Sequence, residues 1–113
     1  MRAIHRDDGE LCGYVHAHDG SWHAVSVFGG LLEVAASSES AEQIVREVGL
    51  VALAERWLLT TSSEPEEQVV CLQEASPTGV TVAIGYYSLP GVPTLRVTRD
   101  QIDNGQMHLR RAH

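Results

Sequence analysis

Three histidines near the N-terminus are the residues best suited to chemistry. His16 and His18 alternate along an apolar run, and His23 lies in the next apolar run. Alternate residues of a β-strand point to the same face of a sheet, so His16 and His18 share a face if their run is a strand. Asp19-Gly20 stands between the two runs and is a strong signal for a hairpin with a two-residue turn.

A two-residue turn at Asp19-Gly20 would place His16 directly opposite His23. The Cβ atoms of such a pair are about 5 Å apart, and His18 would lie on the same face. Three imidazoles that converge from adjacent strands form the ligand set of a catalytic zinc site with an open fourth position. This pattern indicates a candidate metal site at His16, His18 and His23, with zinc as the expected ion.

The same histidines have two other interpretations. A three-residue loop with a glycine bulge would shift the pairing by one residue and set His16 opposite Trp22. A solvated hairpin face could also carry histidine as an ordinary polar residue, and no carboxylate is obviously placed to orient the rings. For the chain as a whole we expect no cofactor, and zinc at the three histidines is the alternative.

The few aromatic residues provide a second set of candidates. Tyr86 and Tyr87 precede a segment rich in proline and glycine. Neighbouring strand residues point to opposite faces, so at most one of these tyrosines can lie in the core. The other is a candidate for a pocket or an interface, where tyrosine is favoured. Trp22 and Trp57 are candidates for the same pocket or interface.

Other polar and sulfur-containing residues favour structural roles. Cys12 and Cys71 are expected to be reduced, buried thiols. The acidic run at 64–67 is typical of a solvated hairpin tip, and a docking patch for a basic partner is the alternative. Glu74 should face water unless it points into a cavity. The chain has no lysine, which excludes Schiff-base catalysis by lysine and a P-loop lysine.

The spacing of apolar residues predicts the order β-β-β-α-α-β-β-β. The six strands of this order are expected at 10–18, 21–28, 31–35, 57–61, 68–75 and 80–87. Residues 94–98 look like a further edge strand, and residues 106–110 could add a last strand. One helix should begin in the serine-rich segment 37–40 and end at Gly49, and a second should run from Leu50 to about Arg56. Thr98 and Gln101 have the spacing of a capping box. These elements predict an α+β domain, mainly antiparallel sheet, with two short helices packed on one face.

The segment Asp19-Gly20-x-Trp22-x-Ala24, followed by Glu39-x-Ala41-Glu42, resembles the small arm-binding domain of tyrosine recombinases. The resemblance covers about a third of the chain and implies three strands followed by a helix that begins with Glu-Ala. Those domains bind DNA through arginine and lysine on the sheet. Residues 11–45 of this chain contain no basic residue other than histidine, so the resemblance implies local topology and does not extend to DNA binding.

Length and charge set the broad class. The 113 residues amount to one domain, expected to span 1–113. The formal net charge of −7 and the scattered arginines disfavour generic nucleic-acid binding. The N-terminal residues do not have the pattern of a secretory signal, and no apolar run is long enough to span a bilayer. We therefore expect a cytoplasmic protein, and the absence of lysine favours a GC-rich, bacterial genome.

These observations predict a small acidic binding or accessory protein that acts through protein–protein contacts as a homodimer. The first alternative is a small-molecule-binding protein or a small metal-dependent enzyme that uses the histidines of the first hairpin. The second alternative is a nucleic-acid-associated regulator. An enzymatic role is the less favoured interpretation, because no catalytic arrangement can be identified from residue spacing alone.

Overall fold

The computed structural model describes residues 1–63, 66–85 and 91–112. Two α-helices are present, α1 (Ser38–Val48) and α2 (Arg99–Asp103), together with a 3₁₀ turn at Val51–Ala54. The strands are β1 (Arg2–His5), β2 (Leu11–His18), β3 (Ser21–Val25), β4 (Leu31–Ala35), β5 (Arg56–Thr61), β6 (Gln68–Ser76), β7 (Gly79–Ile84), β8 (Thr94–Thr98) and β9 (Met107–Arg111).

The described strands form one nine-stranded sheet in the order β1-β2-β3-β4-β9-β5-β6-β7-β8. Neighbouring strands are antiparallel, except that β4 and β9 are parallel. The α+β class with a mainly antiparallel sheet is confirmed. The sheet is nevertheless mixed, because the chain inserts its last strand between β4 and β5. Strand β1 was not predicted.

The sheet consists of two antiparallel halves that meet at the β4–β9 pair. Strands β1 to β4 form the first half, and β9 with β5 to β8 forms the second half. We call the contact between β4 and β9 the seam. Within the described residues, a single residue pair of the seam is in register, Leu31 with Arg110. By contrast, five residue pairs are in register between β5 and β9. The seam therefore has the fewest residue pairs in register of the contacts between adjacent strands.

Helix α1 follows the first half of the sheet and packs across β2, β3 and β4. The backbone N–H of Ser40 donates to Oγ of Ser37 at 3.1 Å, which satisfies one of the free amides of the first turn. Ala41 and Val45 are buried against the sheet. The helix ends before Gly49, as predicted. The backbone of Gly49 is right-handed helical, whereas a glycine at the end of a helix is commonly left-handed. A side chain there would collide with the carbonyl of Cys12.

The predicted second helix at 50–56 is wrong in length and type. Only one 3₁₀ turn forms at Val51–Ala54, and β5 already begins at Arg56. The capping box at Thr98 and Gln101 is confirmed: each residue's backbone N–H donates to the other's side chain, at 2.9 and 3.2 Å. No helix in the described ranges has the length and apolar character needed to cross a membrane.

Helices α1 and α2 lie on opposite faces of β2. A side chain at Gly13 would approach Cγ1 of Val45 on α1, whereas the guanidinium of Arg99 on α2 lies 5.1 Å from the ring centre of Tyr14. Gly13 and Tyr14 are neighbours on one strand and therefore point to opposite faces. Helix α2, which is not one of the two helices predicted to share a face, covers the face that carries the three histidines.

The core joins the two halves of the sheet through an aromatic pair. Trp57 on β5 and Phe28 after β3 are completely buried, and their ring centres are 5.1 Å apart in an edge-to-face arrangement. The indole Nε1 of Trp57 donates to the carbonyl of Ala52 at 2.9 Å. Gly30 leaves room for this pair, because a Cβ there would lie 2.8 Å from the Trp57 ring.

Candidate functional site

The first hairpin has the two-residue turn that the histidine hypothesis requires. Asp19 and Gly20 both have positive φ, 47° and 80°, as expected for a type I′ turn. Across the hairpin, His16 pairs with His23 and Tyr14 pairs with Val25. The alternative register, with His16 opposite Trp22, is therefore wrong.

The three histidine rings form one cluster on the α2 side of the sheet. The ring centres of His18 and His23 are 4.6 Å apart, and those of His16 and His23 are 5.1 Å apart. The longest separation, between His16 and His18, is 6.3 Å. The rings meet edge to face or tilted, at interplanar angles of 80°, 65° and 40°.

These rings line a groove of about 400 Å³ between the hairpin and the elements that follow β8. We call it the histidine groove. Its polar residues are His16, His18 and His23 from the hairpin, together with His108 on β9 and Asp103 on α2. Its apolar residues include Val25, Leu31, Ile102 and Leu109. The groove thus combines four imidazoles with an apolar floor.

His108 is a groove residue that the sequence did not reveal. It belongs to the second half of the sheet and reaches the hairpin only because β9 pairs with β4. The alternation of Met107 and Leu109 with exposed His108 and Arg110 was readable as a strand. Nothing local specifies the partner of that strand, so its approach to the hairpin could not be inferred from spacing.

The groove favours neutral imidazole at His23. Burial lowers the pKa of His23, and the charges of His16, His18 and His108 lower it further, whereas Asp19 opposes the effect. His16 Nδ1 lies 3.3 Å from the carbonyl of Ala17. In the tautomer that donates from Nδ1, the Nε2 lone pair is free to bind a ligand.

Arg99 holds α2 against the hairpin at the edge of the groove. Its guanidinium packs over Tyr14, and its Nε donates to Oδ1 of Asp103 at 3.0 Å. A further N–H points at the sulfur of Met1 at 2.9 Å. The Arg99 side chain is only 17% exposed. These contacts position Asp103 and the remainder of α2 as one wall of the histidine groove.

The described residues do not form a ready-made metal centre. As the side chains stand, no group of three or more His, Cys, Asp or Glu within the described ranges is arranged to hold a metal ion. The ring separations nevertheless suit one: imidazoles bound to a tetrahedral zinc through Zn–N bonds of about 2.0–2.1 Å have ring centres about 5 Å apart. The two separations that involve His23, 4.6 and 5.1 Å, are close to this value, whereas His16 and His18 are 6.3 Å apart and would have to approach each other by rotation about their side-chain torsions.

The remaining candidates are dispersed. Trp57 is a core residue without exposed surface. Trp22 is half-buried on the α1 face of β3, opposite the histidines. Tyr86 and Tyr87 lie outside the described residues. Trp22 and Trp57 therefore do not share a described pocket, and the prediction for the two tyrosines is untested.

The other polar and sulfur-containing candidates have ordinary environments. Cys12 and Cys71 are buried thiols, as predicted, and burial raises the pKa of the Cys12 thiol. Glu74 is exposed on β6. In the acidic run, Glu67 accepts two hydrogen bonds from Arg110 at 2.7 and 2.9 Å, whereas positions 64 and 65 lie outside the described ranges.

Comparison with known proteins provides no relative from which a function could be transferred. No protein-family model, no curated protein and no solved structure matches this chain.

Proposed function

We propose that this protein is a small binding protein whose ligand is a transition metal ion of the zinc class, held by His16, His18 and His23. The observation that carries the proposal is the spacing of the three rings, 4.6 to 6.3 Å between centres. This range brackets the value of about 5 Å expected for imidazoles on a tetrahedral zinc. Imidazole nitrogen is a preferred ligand of Zn²⁺, Cu²⁺ and Ni²⁺.

The electrostatics of the chain support a cationic ligand. The formal net charge is −7, and a negative protein attracts cations from solution. His23 is biased toward the neutral form, which is the form that binds a metal ion. The carboxylate that lines the groove, Asp103, is engaged by Arg99.

The distribution of arginine favours this proposal over a nucleic-acid-associated role. Within the described residues, at least six of the eight arginine side chains form ion pairs with carboxylates. Phosphate binding needs positive charge that is available to displace counterions. Paired arginines on a negative protein provide little of it, so we place the nucleic-acid alternative behind metal binding.

Calorimetric titration of untagged protein with ZnCl₂ tests the proposal. We expect one zinc per chain for the wild type and loss of binding in the triple variant His16→Ala, His18→Ala, His23→Ala. His5→Ala is the matched control, because His5 is exposed on β1 and does not line the groove. Equal zinc binding by the wild type and the triple variant, or no binding by the wild type, would contradict the proposal.

A further inference from the structure

The histidine groove lies across the strand contact that has the fewest residue pairs in register, between β4 and β9. His16, His18 and His23 belong to the first half, whereas His108 belongs to β9 in the second half. The two halves are paired at a single position, Leu31 with Arg110, within the described seam. Leu31 itself lines the groove, so the seam and the groove share a residue.

We infer that His108 completes the ligand set, so that the bound ion bridges the two halves of the sheet. This inference rests on the proposed function and identifies its fourth ligand. His108 lines the same groove as the three hairpin histidines, and its position on β9 is exposed. The groove is thus lined by imidazoles from both halves of the sheet.

Four imidazoles change what the site can do. Three protein ligands leave an open position for water or substrate, which is the arrangement of catalytic zinc sites. A fourth protein ligand closes the coordination shell and makes the site structural. A bridging ion would stabilise the folded arrangement of β4 and β9, and the gain would rise with the logarithm of its concentration above the dissociation constant, since the ion would bind only the native state.

The test compares zinc affinity and amide hydrogen exchange in the wild type, His108→Ala and His5→Ala. Zinc is added as ZnCl₂ in competition with a chelating dye, and an amide correlation spectrum of each metal-free variant verifies its fold. We expect His108→Ala to weaken zinc binding at least about tenfold, since even residues that only support a ligand are worth that much. His5→Ala should bind zinc like the wild type.

Hydrogen exchange reports the bridge itself. Zinc should slow exchange of the β4 and β9 amides in the wild type but not in His108→Ala, whose remaining ligands all belong to one half. If His108→Ala binds zinc as tightly as the wild type and shows the same protection, His108 is not a ligand and the bridge is refuted, while the proposed function stands. If the wild type binds no zinc, the proposed function itself fails, and the inference fails with it.

Discussion

The ring centre of His18 lies 4.6 Å from the ring centre of His23, which belongs to the neighbouring strand of the first hairpin. His23 is paired directly with His16, so its ring contacts both histidines of β2. This arrangement depends on a single local feature, the two-residue turn at Asp19-Gly20. It makes His23 the centre of the cluster.

We predict that His23 of the metal-free protein titrates below the ordinary histidine value of about 6.5. Burial disfavours its charged form, the imidazolium charges of His16, His18 and His108 add to the effect, and Asp19 partly opposes it. Because the folded pKa is lowered, the unfolded state binds more protons as the pH falls through about 6.5, and the free energy of unfolding decreases there. Above that pH this contribution to stability is fully present.

Nuclear magnetic resonance of the imidazole resonances measures this pKa directly. His16→Ala should raise the pKa of His23 toward the ordinary value, because it removes one of the neighbouring charges. A wild-type His23 that titrates at or above the ordinary value would contradict the description of the cluster.

The turn itself should be sensitive to a side chain at its second position. Gly20 has φ of 80°, a left-handed conformation that costs other residues about 1–2 kcal/mol. We therefore expect Gly20→Ala to lower the free energy of unfolding by about 1 kcal/mol. Equilibrium urea unfolding measures the difference. Gly91 also has a positive φ, 84°, and lies away from the hairpin, so Gly91→Ala is a positive control that should lose a similar amount of stability. A loss of stability in Gly91→Ala without a loss in Gly20→Ala would contradict the I′ turn.

Trp57 is predicted to act in the core and not at an interface. It is completely buried and donates a hydrogen bond to Ala52, so Trp57→Ala should cost about 3–5 kcal/mol of unfolding free energy. The half-buried Trp22 provides the matched control, and Trp22→Ala should cost less. Urea unfolding of both variants decides the matter. Equal losses would show that the two tryptophans are buried to a similar extent in solution.

Homodimer formation remains a prediction from the sequence, and the sheet has a feature that could serve it. Strands β1 and β8 end the described sheet, so each has one edge without a strand neighbour. Such an edge is a template for pairing with another chain. We expect sedimentation experiments to show a dimer at micromolar concentrations. A monomer throughout the accessible concentration range would refute this prediction.

Local signals predicted the part of the site that lies on the first hairpin. Asp19-Gly20 indicated the turn, the turn determined the register, and the register placed His16, His18 and His23 together. Each step involves residues that are close in sequence, where turn chemistry restricts the backbone to few conformations. For the same reason the capping box at Thr98 and Gln101 was readable from spacing.

Contacts between distant parts of the chain were not predictable in this way. The parallel pairing of β4 with β9, and with it the position of His108, joins segments that are far apart in sequence. The sequence 50–56 looked helical, but only one 3₁₀ turn forms because β5 begins at Arg56 and buries Trp57. Tertiary packing decided these outcomes over local propensity.

X-ray absorption spectroscopy of the zinc-loaded, untagged protein is the most direct test of zinc binding by the three hairpin histidines, because it reports the atoms bound to the metal. We expect at least three nitrogen ligands at about 2.0–2.1 Å, with the scattering pattern of imidazole. The triple variant of His16, His18 and His23 should lose that pattern. Zinc coordinated mainly by oxygen, or an unchanged imidazole signal in the triple variant, would contradict it.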